Sequence, residues 1–204
     1  MLPPTDRREL FALKKGSKMA ELLEVKNLSV SFDTPDGEAE AVRDVSFFVK
    51  KGETLAIVGE SGCGKSVLCR SIMKLLPKTA RIKSGSVLLD GKEITGLTEK
   101  EMQKLRGNSF SMVFQDPMTT LNPAMTVGAQ IAEAVIIHRP EFSREEVRCR
   151  VWELMELVGI DHPKERAAQY PWNFSGGMRQ RSVLAIALAS EPAVLLADEP
   201  TTAL

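Results

Sequence analysis

An α/β chain with antiparallel β elements at its N-terminus and an inserted α-helical subdomain is what this sequence predicts, on three observations. Two apolar runs without alternation, TLAIVG and AVLLAD, read as strands covered on both faces. The first leads through a glycine-rich loop into a helix-like segment. Between residues 117 and 170 the pattern turns to helical periodicity. With 204 residues, 43% of them apolar and 26% charged, the chain can build one domain with a real core and a small subdomain set into it.

Charge and cysteine usage exclude several classes. The 27 basic and 27 acidic residues cancel to a net charge of +0, so no overall polycation points to nucleic acid. Cys63, Cys69 and Cys149 form no CxxC pair and no His-rich cluster, which argues against zinc and against a disulfide framework and fits a reducing, cytosolic compartment. No run has signal-peptide character, and none approaches the ~20 apolar residues of a membrane span. Residues 1–19 read as an irregular, basic extension, with Met19 a candidate start just before the first strand pattern.

In chain order, Leu23, Val25, Leu28, Val30 and Phe32 alternate with polar residues as in a half-buried strand, and DTPDGE is a turn. Val45, Phe47 and Val49 form a second strand suited to pair with the first. After TLAIVG and the glycine loop, Lys65 to Leu76 reads as a helix stopped by Pro77. Gly85 to Asp90 is a short strand closed by an Asp90-Gly91 turn, and Thr98 with Glu101 makes a capping box for a short helix. SFSMVF, residues 109 to 114, is a further strand. VGAQIAEAVIIH and SREEVRCRVWELMELVGI are helices of the insert, the latter opened by a second capping box, Ser143 and Glu146. SGGMRQRSVLAIALAS is a helix beginning at glycines, and AVLLAD a strand ending on an acid. The organisation expected is an irregular extension 1–19, a core of 20–116 and 171–204, and a helical subdomain 117–170.

GESGCGKS, Gly59 to Ser66, matches GxxxxGK[ST] in the strand-loop-helix context that this motif requires. Its glycines let successive N–H groups curl around phosphate oxygens while the following helix points its positive end at them. Lys65 would reach the β- and γ-phosphates, and Ser66 would place its hydroxyl on Mg²⁺. Asp198, ending the AVLLAD strand, can hold Mg²⁺ through water, and Glu199 beside it can polarise the water that attacks the γ-phosphate. Gln115, ending the SFSMVF strand, can contact metal or water and report their state to the insert. Ser175, Gly176 and Gly177 open a second phosphate-competent helix. One nucleotide hardly needs two cradles from one chain, so a composite site is expected, the loop of one subunit facing the SGG of another across a two-fold axis.

GESGCGKS, Gln115, FSGGMRQR and VLLADEPTTAL, in this order with a helical insert before FSGG, resemble the nucleotide-binding subunit of an ABC transporter from about Glu21 to Leu204. The resemblance implies an α/β P-loop NTPase (RecA-like) core binding ATP and Mg²⁺. It implies that Gly59, Glu60, Ser61, Gly62, Cys63, Gly64, Lys65, Ser66 and Val67 surround the phosphates and that Phe32 stacks on adenine. It further implies that Ser175, Gly176 and Gly177 act as the signature motif, that Ser66, Gln115 and Asp198 serve the metal, and that Glu199, with Gln115 and Lys65, is catalytic. The partners implied are a second ATP-binding subunit, two membrane permease subunits docked on residues 117–170 and, indirectly, an extracytoplasmic solute-binding protein, with the chain peripheral on the cytoplasmic face of the cell membrane.

QDPMTTLNP together with FSGGMRQR is similar to subunits of dipeptide and oligopeptide importers. Relatives that carry nickel or another small solute, a soluble non-transport ATPase of the family, and an inactive fragment stay open as alternatives. Two departures stand out: Cys63 replaces a frequent serine, and Trp172-Asn173 stands where such subunits commonly show His-Glu. The chain also stops at Leu204, before the aspartate and switch histidine that the resemblance implies. A fragment with an exposed sheet edge is therefore expected, binding nucleotide weakly or turning it over poorly.

Overall fold

The structure, a computed structural model, describes residues 21–114 and 120–198. The chain divides into two compact units, Met1–Leu97 and Thr98–Leu204, each described by itself.

The first unit is a four-stranded antiparallel sheet. Strands β1 (Glu21–Thr34) and β2 (Gly37–Lys50) form a long hairpin, β3 (Ala80–Leu89) pairs with the other edge of β1, and β4 (Lys92–Glu93) follows. The two central turn residues ask for left-handed backbone at Asp90 (φ 48) and Gly91 (φ 73), which is why Asp-Gly closes the β3–β4 hairpin. Bulges at Asn27 (φ 49) and Asp44 (φ 47) break the β1–β2 register, and the Asn27 amide donates to the Asp44 carboxylate at 2.8 Å across them. At the β1 bulge the backbones come so close that a Cβ on Gly85 would lie 2.5 Å from the Asn27 carbonyl oxygen. Leu23, Val25, Leu28, Val30, Phe47, Val87 and Leu89 are buried. Leu68, Ile72 and Met73 are buried likewise on helix α1 (Lys65–Ile72) and its C-cap, and α1 packs against β1 and β2.

Three expectations change in this unit. TLAIVG is not a strand: residues 53–60 carry no strand assignment, and Val58 is 76% exposed. A strand exists through its ladder, and no described residue pairs with this run. Helix α1 ends four residues earlier than Pro77 would require, because Lys74 turns left-handed (φ 52) and donates its ammonium to the carbonyls of Thr95 and Leu97. Strand β3 starts at Ala80 rather than Gly85, since polar Arg81 and Ser84 pair with β1 as readily as apolar residues do.

The second unit has helices on a parallel strand pair. Helix α2 (Glu99–Leu105) starts at the capping box of Thr98 and Glu101, and β5 (Phe110–Val113) follows. Helix α3 (Val127–His138) is capped by Thr126 and α4 (Arg144–Leu157) by the box of Ser143 and Glu146. After α5 (Pro163–Arg166) and a 3₁₀ turn (Pro171–Asn173), α6 (Gly176–Leu188) leads to β6 (Val194–Ala197), which pairs in parallel with β5 from Phe110↔Val194 to Val113↔Ala197. AVLLAD is less enclosed than a run covered on both faces, with Val194 buried but Leu195 36% exposed.

Helix α6 is shared between two clusters. Ala185 and Ala189 join Ile131, Val135, Val151, Leu154 and Met155 of α3 and α4, while Val183 and Ala187 join Val113 of β5 and Leu121. Both pairs are spaced by four residues, so small side chains on two sides of one helix let it lie close to helices and strand alike. Each fully buried leucine or isoleucine here contributes roughly 1.5–3 kcal/mol through burial.

Candidate functional site

The loop before α1 is built to leave a helix N-terminus open. Cys63 N–H donates to the Glu60 carbonyl at 3.3 Å, tightening the turn, and Gly62 (φ 79) and Gly64 (φ 97) take left-handed backbone that glycine adopts without a Cβ penalty. Space decides at Gly64 as well, because a Cβ there would lie 2.3 Å from the carbonyl oxygen of Ala41 on β2. At Gly59 a Cβ would come within 2.6 Å of the Cys63 thiol.

Helices α2, α3, α4 and α6 each begin under a Thr or Ser side-chain oxygen. Helix α1 has no side-chain cap, and no acid lies in its first turn. Its positive end therefore lacks the side-chain oxygen that those four carry, as does that of the single-turn helix α5. Lys65 turns back over the loop, its Nζ donating to the carbonyls of Gly59 at 2.9 Å and Glu60 at 2.8 Å, with the Cys63 sulfur at 3.9 Å. Glu60, Ser61, Gly62 and Cys63 are exposed, and Gly64, Lys65, Ser66 and Val67 half-buried. An anion with several oxygens suits this arrangement of backbone donors and one ammonium.

Phe32 is half-buried near the end of β1, and its Cα partners are Ala39 on β2 and Ala80 on β3. With an alanine on either side, the ring has no bulky cross-strand neighbour. Composition and alternation could not show this, because the partners come from two other strands.

In the second unit Asp198 directly follows β6, where it is 3% exposed, and its N–H continues the ladder by donating to the Val113 carbonyl at 2.9 Å. It lies beside the end of β5, the strand that leads toward Gln115. Gln115 and Glu199 themselves lie outside the described residues. Ser175 caps α6, accepting from the Met178 N–H at 3.3 Å, and Ser175 and Gly176 are exposed with Gly177 half-buried. Three contacts anchor this start: buried Phe174, Arg179 donating to the Pro171 carbonyl at 2.8 Å, and Arg181 donating to the Gly159 carbonyl at 2.7 Å. Just before it, Tyr170 and Trp172 stack with ring centroids 4.4 Å apart and planes 5° from parallel, a pairing that sequence spacing alone did not reveal.

Among the described residues no group of three or more His, Cys, Asp or Glu side chains could hold a metal ion. Mg²⁺ is commonly held by one or two protein oxygens together with water and substrate phosphates. Ser66 in the first turn of α1 and Asp198 at a strand end are oxygen donors of that kind.

Comparison with known proteins gives a consistent result. The family described as ABC transporter matches residues 42–202. The chain is 55% identical over 188 residues to the oligopeptide transport ATP-binding protein OppD of Bacillus subtilis, covering 92% of this chain and 52% of that protein. It is 54% identical to the dipeptide transport ATP-binding protein DppD of the same organism, covering 91% of this chain and 56% of the relative. The chain thus spans about half the length of the curated relatives it matches. Among solved structures, the dimeric ATP-binding cassette MJ0796 in a post-hydrolysis state, bound to ADP and Pi, superposes with a TM-score of 0.79 at 31% identity, over 89% of this chain and 75% of that one.

Proposed function

The chain belongs to the ABC transporter family, and from that premise we propose that it binds and hydrolyses ATP as a subunit of an importer for di- or oligopeptides. The observation that carries the proposal is the start of α1: a glycine-shaped loop, no side-chain cap and a lysine folded over the loop carbonyls. The relatives named above, both peptide-transport ATP-binding proteins, support the solute class.

In this proposal the N–H groups of residues 59–67 hold the phosphates, and Lys65 moves its ammonium from the Gly59 and Glu60 carbonyls onto β- and γ-phosphate oxygens. Phe32 stacks on adenine, in the space left by Ala39 and Ala80. Ser66, Gln115 and Asp198 hold Mg²⁺, which supplies charge neutralisation of the phosphates when bound. Glu199 accepts the proton of the attacking water. Ser175, Gly176 and Gly177 close over the γ-phosphate held by a second ATP-binding subunit, so two chains complete two sites.

Residues 20–116 and 171–204 form the nucleotide-binding core, and 117–170 an insert that docks two permease subunits. Exposed Ile136, Ile137 and Leu157 on α3 and α4 suit that docking. No described helix is long and apolar enough to cross a membrane. In this proposal the chain works as a peripheral subunit, on the cytoplasmic face where ATP is available, and an external binding protein delivers the solute to the permeases.

Phosphate release from MgATP, measured for the wild-type chain and for Lys65→Ala, tests the activity. Turnover that survives the substitution removes the loop from the mechanism. Uptake of labelled di- and tripeptides against nickel, in cells lacking and then regaining the protein, tests the solute.

A further inference from the structure

Just ahead of α6, two aromatic rings lie against each other and still face solvent. Trp172 is the most exposed aromatic residue among those described, at 58%, although Tyr170 already covers one of its faces. Pro171 and Phe174 turn inward and are buried, so the short segment supplies its own core anchors and does not need the indole for that purpose. The two parallel rings form a flat platform whose outer face is open.

The backbone beneath the platform is held on both sides. Tyr170 N–H donates to the Asn173 Oδ1 at 3.2 Å, and Asn173 N–H returns to the Tyr170 carbonyl at 3.0 Å. The Gln169 carbonyl receives the Val127 N–H at 2.9 Å, and the Pro171 carbonyl receives the Phe174 N–H at 3.1 Å and Arg179 at 2.8 Å. A surface fixed in this way loses little freedom when a ligand lands on it. Its chemistry says which ligand suits it. Residues 167–178 carry no charged side chain, which favours a flat, uncharged group over a phosphate or an acidic peptide. Trp172 lies three residues before Ser175, at most about 11 Å of chain, the scale that separates a γ-phosphate from the sugar and base of its own nucleotide. Phe32, between Ala39 and Ala80, offers a base one face and leaves the other uncovered.

We propose that Trp172, backed by Tyr170, is a nucleotide-binding residue that acts across the subunit boundary. It stacks on the open face of the base held by a second ATP-binding subunit, while Ser175, Gly176 and Gly177 close over the γ-phosphate of that same nucleotide. The proposal rests on the ATP-binding reading put forward above and adds to it a contact at the base end of the composite site. Stacking uses the π-face that every base has, so the platform strengthens binding without selecting adenine over guanine.

Photolabelling locates the base directly. Membranes carrying the assembled transporter are irradiated with Mg²⁺ and 2-azido-ATP, whose reactive nitrogen sits on the base, and the chain is then digested with trypsin. Label is expected on the peptide of residues 27–43, which holds Phe32, and on that of residues 167–179, which holds the platform. Label on the first peptide alone overturns the proposal. Label on neither removes the ATP-binding reading, and this proposal falls with it. Kinetics give a second readout. Trp172→Ala is expected to raise KM about five- to tenfold for ATP and for GTP alike, with kcat within about twofold and the urea midpoint unmoved, and Trp172→Phe to restore most of the loss. An unchanged KM overturns the proposal. A fall in kcat and urea midpoint together with the rise in KM overturns it too, as the mark of a merely structural residue.

Discussion

The ammonium of Lys65 donates to the carbonyl oxygen of Gly59 at 2.9 Å, so the residue that opens α1 folds back onto the residue that opens the loop before it. The lysine is held over the loop and close to the helix start. If phosphate oxygens take the place of these carbonyls, removal of the ammonium leaves that charge unanswered. Lys65→Ala is expected to lower ATP turnover by about a hundredfold or more, with the fold intact by circular dichroism. Phosphate release under single-turnover conditions checks it.

Gly85 predicts a stability effect with no ligand involved. A Cβ would meet the Asn27 carbonyl, the Leu28 Cα and the Lys26 carbonyl, each at 2.5 Å, and φ is +92. None of these is a flexible side-chain tip, so backbone must shift. Gly85→Ala is expected to cost about 2–5 kcal/mol by urea denaturation, whereas Gly91→Ala, with open space around it, should cost only about 1 kcal/mol of backbone strain.

Cys63 offers a chemical probe of the same loop. Cys63 and Cys149 are exposed and Cys69 is buried. A maleimide should label the two exposed thiols, and saturating MgATP should slow labelling at Cys63 alone, as read by peptide mass mapping. Equal labelling of Cys63 with and without nucleotide would contradict a phosphate site at residues 59–67.

Acid should loosen α4 at its N-terminus. The Glu146 carboxyl is held below the ordinary glutamate range by its hydrogen bonds with the Ser143 side chain and then the Ser143 backbone N–H. A depressed folded-state value means that the contribution is fully present above the ordinary glutamate pKa and is lost as pH falls through the lowered one. Protection at the first turn of α4, after correction for the pH dependence of intrinsic amide exchange, should therefore fall on acidification through that window in the wild type, and Glu146→Gln should flatten the dependence.

Local signals carried the parts of this fold that the sequence predicts well. Thr98 with Glu101, Ser143 with Glu146, and Asp90-Gly91 are short-range pairs whose geometry is complete within four residues, and each is found where expected. Distant partners carried the rest. Helix α1 stops where Lys74 finds carbonyls more than twenty residues away, and TLAIVG fails as a strand because apolarity alone supplies no ladder. At the candidate site the loop was legible because its chemistry is contiguous. The alanines beside Phe32 were not, since those neighbours come from two other strands.

The parallel pairing of β5 with β6 has a kinetic side. The hairpin of β1 and β2 needs only its own turn to zip, but Phe110 meets Val194 across about 80 residues that contain every helix from α3 to α6. Closing a loop of that length costs roughly 4 kcal/mol of chain entropy before any ladder bond repays it. During synthesis the helices of the second unit must wait with their apolar sides only partly covered until β6 has been made. Its slow step should therefore be the arrival of β6, and substitutions in the β1–β2 hairpin should leave that phase untouched.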